Sequence, residues 1–205
     1  MKNNRYITQR NRYLPAAPKL IFIAESPPSS GKYFYDPSGR PTEPLFQAVT
    51  RLLKFKPKTK AEGLSEFSQR GYVLVDAIYE PVNKLRPRER NARILSNYRD
   101  LIKDLRQIMG ARNLPIILIK ANVFRLLEDQ LKRDGFKVIN NGLIVPFPGS
   151  GHQKEFQEGY SNSNAVYCPR KFPGFSLMIE HLSVSQVNKA LTKSRESAML
   201  DVKHL

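Results

Sequence analysis

A short apolar run that stops at a rigid polar loop is the feature that most restricts the fold. Residues 19–28 read KLIFIAESPP, so an apolar run over 20–23 leads directly to Glu25, a serine and two prolines. A continuous apolar run of this length is typical of a strand buried on both faces of a parallel sheet. Pro27 and Pro28 disfavour a helix and fix the turn. The sequence therefore predicts Glu25 at the carboxyl end of a buried strand, where open α/β sheets bind their ligands.

Two later segments repeat this arrangement. Residues 71–76 (GYVLVD) end in Asp76, and residues 143–148 (LIVPFP) lead into the glycine-containing run GSGH at 149–152. Strands whose carboxyl ends meet at one edge of a sheet bring such polar groups together. The sequence therefore predicts one site built from three strand ends.

Helical patterns separate the predicted strands. Further short strands are expected at 115–119 and 136–139, and helices at 45–53, 61–69, 92–109 and 122–132, the clearest being 92–109 with its apolar stripe of period 3.6. Strands joined by helical crossovers indicate a parallel sheet with helices on both faces. We expect an α/β fold, a three-layer αβα sandwich with a central, mainly parallel four-stranded sheet.

The predicted domain organisation is simple. Residues 1–18 carry four basic residues and no acidic one, and we interpret them as a mobile basic arm, either a solubilising terminus or a DNA-contacting segment. Residues 19–205 suit a single domain, with a motif-bearing core at 19–158 and a C-terminal extension at 159–205.

The charge balance narrows the partner. The 205 residues include 34 Lys and Arg against 18 Asp and Glu, a net charge of +16, which favours a polyanion such as DNA. No apolar run approaches the roughly 20 residues that span a bilayer. The single cysteine, Cys168, excludes an internal disulfide and any cysteine-rich metal or iron–sulfur site. We expect a cytoplasmic monomer, nucleoid-associated in a prokaryote, that binds DNA without a metal, a cofactor or a membrane.

Four motifs in order resemble the uracil-DNA glycosylase superfamily. The AESPP run at 24–28 resembles its first motif, and 72–81 is similar to the strand that ends in the base-reading asparagine before a proline. Residues 116–122 resemble the strand-to-helix turn that grips DNA phosphate, and 145–150 occupy the place of the second motif. The resemblance covers 19–158 and implies a monofunctional DNA glycosylase, which flips a base out of DNA and hydrolyses its N-glycosidic bond.

The resemblance implies two catalytic residues. Glu25 matches the carboxylate of the first motif, which orients water and stabilises positive charge on the sugar. The alternative is a glutamate that caps the loop or pairs with an arginine. In the second motif Phe147 stands where many members have a catalytic histidine, and the nearby His152 is the candidate replacement, either assisting the departing base or filling the space it leaves.

Asp76 stands where members that read uracil have asparagine. An ionised aspartate only accepts hydrogen bonds, so it would bind the N4 amino group of cytosine and repel O4 of uracil. If protonated, it could also donate to N3. We therefore expect a modified or damaged cytosine-type pyrimidine as substrate, in DNA repair or in defence against foreign or phage DNA. The alternative is a structural aspartate that fixes the loop after the strand.

Other residues are expected around the flipped base and along the DNA. Phe34 and Tyr35 are candidates for stacking on the base, with an aromatic cluster at the core edge as the alternative, and Phe147 is assigned to the same base-binding group. The candidates for DNA contact are Ser30, Lys84, Arg86, Arg88, Lys120, Ser150, Gln153 and Lys154.

Two other functions remain open at this level. One is a uracil-DNA glycosylase of base-excision repair, and the other is a catalytically degenerate protein that binds modified sites in DNA. Phe147 at the position of the second-motif histidine favours the degenerate protein, whereas Glu25 beside its intact proline loop favours an enzyme. A hydrolase of free nucleosides would explain the sheet but not the positive charge.

Overall fold

Three of the predicted apolar runs form a parallel sheet. The computed structural model describes residues 4–140 and 142–149. Strand β1 (Leu20–Ala24) lies between β2 (Tyr72–Asp76) and β3 (Ile116–Leu118), and both neighbours run parallel to it. All residues of the three strands are buried, which explains why each reads as an unbroken apolar run apart from the terminal Asp76.

A fourth strand is not confirmed. The segments predicted as strands at 136–139 and 143–145 make only two isolated parallel bridges, Ile116 to Val138 and Ile119 to Val145. Between them the buried Asn140 accepts a hydrogen bond from the Leu118 amide at 2.7 Å and donates one to the Leu118 carbonyl at 3.0 Å. A side-chain amide thus takes up the backbone groups of β3 that a continuous fourth strand would pair.

Three of the six helices in the described residues lie close to their predicted positions, one was not predicted, and one predicted helix is divided in two. The chain forms α1 (Arg5–Asn11), α2 (Pro44–Leu52), α3 (Lys60–Gln69), α4 (Pro87–Ser96), α5 (Tyr98–Met109) and α6 (Ala121–Arg133). The prediction of one helix over 92–109 is wrong, because α4 ends and α5 begins at Asn97. The Asn97 side chain donates to the Ala77 carbonyl at 2.8 Å and so fixes this break against the end of β2.

Helices pack on both faces of the sheet. Ile21 and Ile23 of β1 belong to a core cluster with residues of α4, α5 and α6. Phe22, which points to the opposite face, packs its ring on Phe67 of α3 with centroids 6.2 Å apart. Alternate residues of β1 therefore contact different helices, as expected for an α/β protein with a buried parallel sheet.

The amino-terminal segment is part of the folded unit. Tyr6 and Arg10 of α1 are buried, and the Arg10 guanidinium forms a buried ion pair with Asp104 of α5. Arg10 also donates to the Tyr79 hydroxyl at 2.6 Å. Helix α1 thus differs from the mobile arm that was expected over residues 1–18, because one of its cations has its partners inside the protein.

None of the helices in the described part of the chain combines the length and the apolar character needed to cross a membrane.

Candidate active site

A cavity of about 360 Å³ opens at the carboxyl ends of the strands. Its size lies within the range of about 300–1,000 Å³ that is usual for ligand pockets. The register places Ala24 of β1 beside Asp76 of β2, so Glu25 and Asp76 leave neighbouring strand ends. Six residues assigned to the site from sequence line this one cavity: Glu25, Ser30, Phe34, Asp76, Lys120 and Phe147.

Glu25 is a buried carboxylate held by three polar side chains. It is 6% exposed, and its Oε2 atom accepts a hydrogen bond from Lys120 Nζ at 2.5 Å. Oε1 accepts one from Asn122 Nδ2 at 2.5 Å and lies 3.8 Å from Arg90 Nη1. Charge-assisted bonds of this kind fix the orientation of the carboxylate. The alternative considered from sequence was that Glu25 pairs with a basic residue. Glu25 does form such pairs, and it lines the cavity at the same time.

Lys120 reaches Glu25 from an unusual backbone conformation. Its φ of 86° and ψ of 136° lie in a region that non-glycine residues seldom occupy, at the point where β3 leads into α6. The Lys120 amide donates to the Val145 carbonyl at 2.7 Å, which helps to hold this conformation. The Lys120 side chain, assigned from sequence to DNA phosphate, therefore binds Glu25 in the DNA-free protein and remains 29% exposed.

Asp76, unlike Glu25, is buried without a neighbouring cation in ion-pair contact in the described part of the chain. It is 3% exposed, its Oδ2 atom has no hydrogen-bond partner, and it makes no ion pair with any described residue. Burial raises the pKa of Asp76 to about 8, against the lowering effect of the Arg10 charge and the Tyr33 hydroxyl, while the Glu25 charge raises it further. Burial thus favours the neutral form of Asp76, a carboxylic acid that can both donate and accept.

The two predicted stacking residues have different positions. Phe34 lines the cavity and also packs on Phe46 and Phe67, with both ring centroids 5.3 Å away, so it belongs to the core edge as well. Tyr35 is not among the residues that line the cavity. Its ring is buried in the core and its hydroxyl accepts a hydrogen bond from the Leu74 amide at 2.7 Å. The structure therefore corrects the assignment of Tyr35 to base binding.

The basic residues near α4 border the cavity without lining it. Lys84, Arg86 and Arg88 are exposed. They lie between Asn83, which lines the cavity, and Arg90, whose guanidinium donates to the Leu85 carbonyl at 2.9 Å and approaches Glu25. This stretch thus presents its cations between two residues of the site.

The remaining predictions lie outside the described residues. These are the catalytic assignment of His152 and the DNA contacts of Ser150, Gln153 and Lys154. Within the described ranges, no group of three or more His, Cys, Asp and Glu side chains is arranged to hold a metal ion.

Sequence reasoning did not place three further residues in this site. Tyr33 lines the cavity, and its buried hydroxyl has no hydrogen-bond partner. Asn122 and Arg90 approach Glu25, and each has one further buried polar atom without a partner, Oδ1 and Nε respectively. Asn122 is the last residue of the motif at 116–122, and Tyr33 directly precedes Phe34. Their positions next to predicted site residues were the only sequence evidence for a role in the site.

Comparison of the chain with protein-family models, with curated proteins and with solved structures yields no match. The likeness to the uracil-DNA glycosylase superfamily therefore rests on the four motifs alone.

Proposed function

We propose that this protein is a DNA glycosylase of the uracil-DNA glycosylase superfamily that removes a pyrimidine base from DNA by hydrolysis. The observation that carries the proposal is that Glu25 and Asp76 line the same cavity in contrasting environments. Their carboxyl groups come from adjacent strand ends, but Glu25 is held among cations while Asp76 is buried without one. Carboxyl groups placed in contrasting environments are typical of sites that divide an acid–base or electrostatic task between two residues.

The two residues have distinct roles in the proposed reaction. A flipped base occupies the cavity, with Asp76 at its hydrogen-bonding edge and Phe34 against its face. The C1′–N bond breaks and its electron pair leaves on the base, while water adds to C1′ and its proton neutralises the departing base. Glu25 orients the water and stabilises the positive charge on the sugar. The reaction consumes water and calls for no cofactor.

Lys120 has a role in this proposal that links DNA binding to the reaction. Its ammonium is partly exposed, so a DNA phosphate competes with Glu25 for it. Withdrawal of Lys120 toward phosphate leaves Glu25 with Asn122 and Arg90, and its negative charge becomes available to the sugar cation. The proposed phosphate contact of Lys120 and its ion pair with Glu25 are then two states of one side chain.

DNA is the proposed partner because of the chain's charge. The net charge of +16 and the exposed cations Lys84, Arg86 and Arg88 beside the cavity support binding to a phosphate backbone. We propose that the protein acts as a monomer. The proposal also extends to the fold, a three-layer αβα sandwich whose fourth strand would lie beyond β3, where the bridges at Val138 and Val145 occur.

The second candidate is a DNA-binding protein without glycosylase activity. Phe147 favours it, because this ring lines the cavity at the motif position where many members of the superfamily carry the catalytic histidine. Such a protein would recognise a modified base in the same cavity and leave the glycosidic bond intact.

Release of a base distinguishes the two candidates. DNA duplexes and single strands carrying uracil, cytosine or a 5-substituted cytosine are incubated with the protein, and abasic sites are detected by alkaline cleavage. We expect excision from at least one substrate, a loss of about 10²-fold or more in single-turnover rate for Glu25→Gln, and no change for Glu89→Gln, an exposed control on α4. Tight binding without abasic sites would support the DNA-binding candidate.

A further inference from the structure

Asp76 differs from the other buried carboxyl groups in the described part of the chain. Three carboxyl side chains are buried there, Glu25, Asp76 and Asp104. Glu25 is paired with Lys120 and Asp104 with Arg10, whereas Asp76 has no cation within ion-pair distance. A buried carboxyl without a cation is far more stable in its neutral form, because the charged form would lose its hydration without compensation.

Two buried polar atoms without partners belong to residues of the same cavity wall. These are Oδ2 of Asp76 and the hydroxyl oxygen of Tyr33. Buried polar atoms in folded proteins almost always have a hydrogen-bond partner, so such an exception calls for an explanation. The Tyr33 hydroxyl lowers the pKa of Asp76 as a hydrogen-bonding neighbour, and a ligand with polar atoms at its edge would supply a further partner of Asp76 from inside the cavity.

We propose that Asp76 reads the base as a neutral carboxylic acid, donating one hydrogen bond and accepting another, so that the site takes pyrimidines of both the cytosine and the uracil type. This inference rests on the proposed function and deepens it. The required substrate feature is a pair of adjacent donor and acceptor atoms at positions 3 and 4 of the ring.

A neutral carboxylic acid can form two hydrogen bonds with the edge of cytosine and two with the edge of uracil. With cytosine, the Asp76 O–H donates to N3 and the carbonyl oxygen accepts from the N4 amino group. With uracil, the O–H donates to O4 and the carbonyl oxygen accepts from N3–H. The proton can reside on either oxygen, so the same side chain satisfies either pattern. An ionised carboxylate only accepts, so with either base it loses one bond and repels the remaining acceptor.

The groups around Asp76 determine where it titrates. Arg10 of α1 is the cation that lowers the pKa of Asp76. Its guanidinium is already hydrogen-bonded to Asp104 and to the Tyr79 hydroxyl. Burial raises the pKa of Asp76 to about 8 despite Arg10 and Tyr33, which lower it. The charged and titratable groups that face Asp76 from neighbouring elements are Arg10, Glu25, Tyr33, Tyr35, Tyr79 and Asp104.

The first test compares bases and pH. Single-turnover excision is measured for cytosine-type and uracil-type substrates in one sequence context, and for N3-methyluracil and 2-pyrimidinone, each of which lacks one required atom. We expect release of both natural types at pH 7, at least about tenfold slower release of the two analogues, and a decline approaching tenfold per pH unit above about pH 8. Asp76→Asn keeps a donor and an acceptor and should abolish this decline, whereas Asp129→Asn, an exposed control on α6, should not.

The second test does not depend on excision. The side-chain carboxyl of Asp76 is titrated by carbon-13 NMR in the DNA-free protein, with assignment from Asp76→Asn. A transition near pH 8 supports the inference, and a transition in the ordinary acidic range of aspartate overturns it. Release of only one base type at pH 7, with a rate that is constant from pH 7 to about 9, also overturns it.

A complete absence of base release would defeat the proposed function but still leave recognition measurable. Duplexes that carry the same bases on 2′-fluorinated sugars, which resist hydrolysis, are then compared for binding to the protein. Preference for both natural types over the two analogues, lost above about pH 8 in the parent protein but not in Asp76→Asn, supports the inference. Equal affinity for all four duplexes overturns it.

Discussion

Lys120 and Glu25 form an ion pair across the carboxyl ends of β3 and β1, with Nζ 2.5 Å from Oε2. The pair joins a partly exposed cation of the cavity to a carboxylate that is almost fully buried, and the lysine does so from a backbone conformation with φ of 86°. Strained backbone of this kind persists only where the surrounding structure holds it, and it occurs often at functional sites. The pair is therefore the first relationship to test by mutation.

Glu25 and Lys120 should behave as a unit in kinetics. We expect Lys120→Met to slow single-turnover excision by about tenfold or more and to weaken DNA binding, because the variant lacks both the phosphate contact and the ion pair that orients Glu25 before DNA binds. The double variant with Glu25→Gln should be no slower than Glu25→Gln alone, since residues that act together are not additive. Lys103→Met, an exposed lysine on α5, is the control and should leave the rate unchanged. Additive losses would show that Lys120 acts independently of Glu25.

The strand ends could be predicted from sequence because they depend on local patterns. A run such as 72–76, with a single polar residue at its end, fits a strand buried on both faces and little else, and proline at 27 and 28 fixes where β1 must stop. Glu25 and Asp76 were placed correctly for this reason. Their opposite electrostatic environments could not be predicted, because these depend on which cations reach them from distant parts of the chain.

The errors have the same physical origin. Arg10 looked like one of several solvated charges, but its partner Asp104 lies 94 residues away and no local pattern reveals it. The apolar stripe over 92–109 is continuous in sequence, yet the tertiary hydrogen bond from Asn97 to the Ala77 carbonyl accompanies a break that helix periodicity cannot show. Tyr35 was one of three adjacent aromatic residues, and only packing decides which of them faces the cavity.

DNA affinity should depend on salt through the cations beside the cavity. Replacing Lys84, Arg86 and Arg88 together by glutamine should reduce the slope of log Kd against log salt concentration, by about 0.9 for each phosphate that the variant no longer neutralises. The measurement is fluorescence anisotropy on an undamaged duplex at several salt concentrations. Replacing Arg99, Lys103 and Arg106, three exposed cations of α5, removes the same charge elsewhere. Equal effects of the two triple variants would contradict a specific DNA path beside the cavity.

The ion pair between Arg10 and Asp104 should contribute strongly to stability. Arg10→Met leaves Asp104 buried without its cation, and breaking a buried pair in this way typically costs about 3–5 kcal/mol in the free energy of unfolding. Urea denaturation measures this, with Arg12→Met as the exposed control from the same segment. Adding Asp104→Leu should restore part of the loss, because no buried charge then remains unpaired. An unchanged midpoint for Arg10→Met would mean that α1 does not dock on the domain in solution.

Asp76 should make the free energy of unfolding fall as pH rises. Its pKa is about 8 in the folded protein and 3.8 ordinarily, so between these values the folded state holds a proton that the unfolded state releases. The Asp76 contribution therefore declines by up to about 1.4 kcal/mol per pH unit across this window and levels off above roughly pH 8. Asp76→Asn removes this decline, whereas the exposed control Asp129→Asn keeps it. Urea unfolding between roughly pH 5 and 9 gives the difference between parent and variant, in which the contributions of other titrating groups cancel. A difference that does not change with pH would mean that Asp76 is ionised in the folded protein.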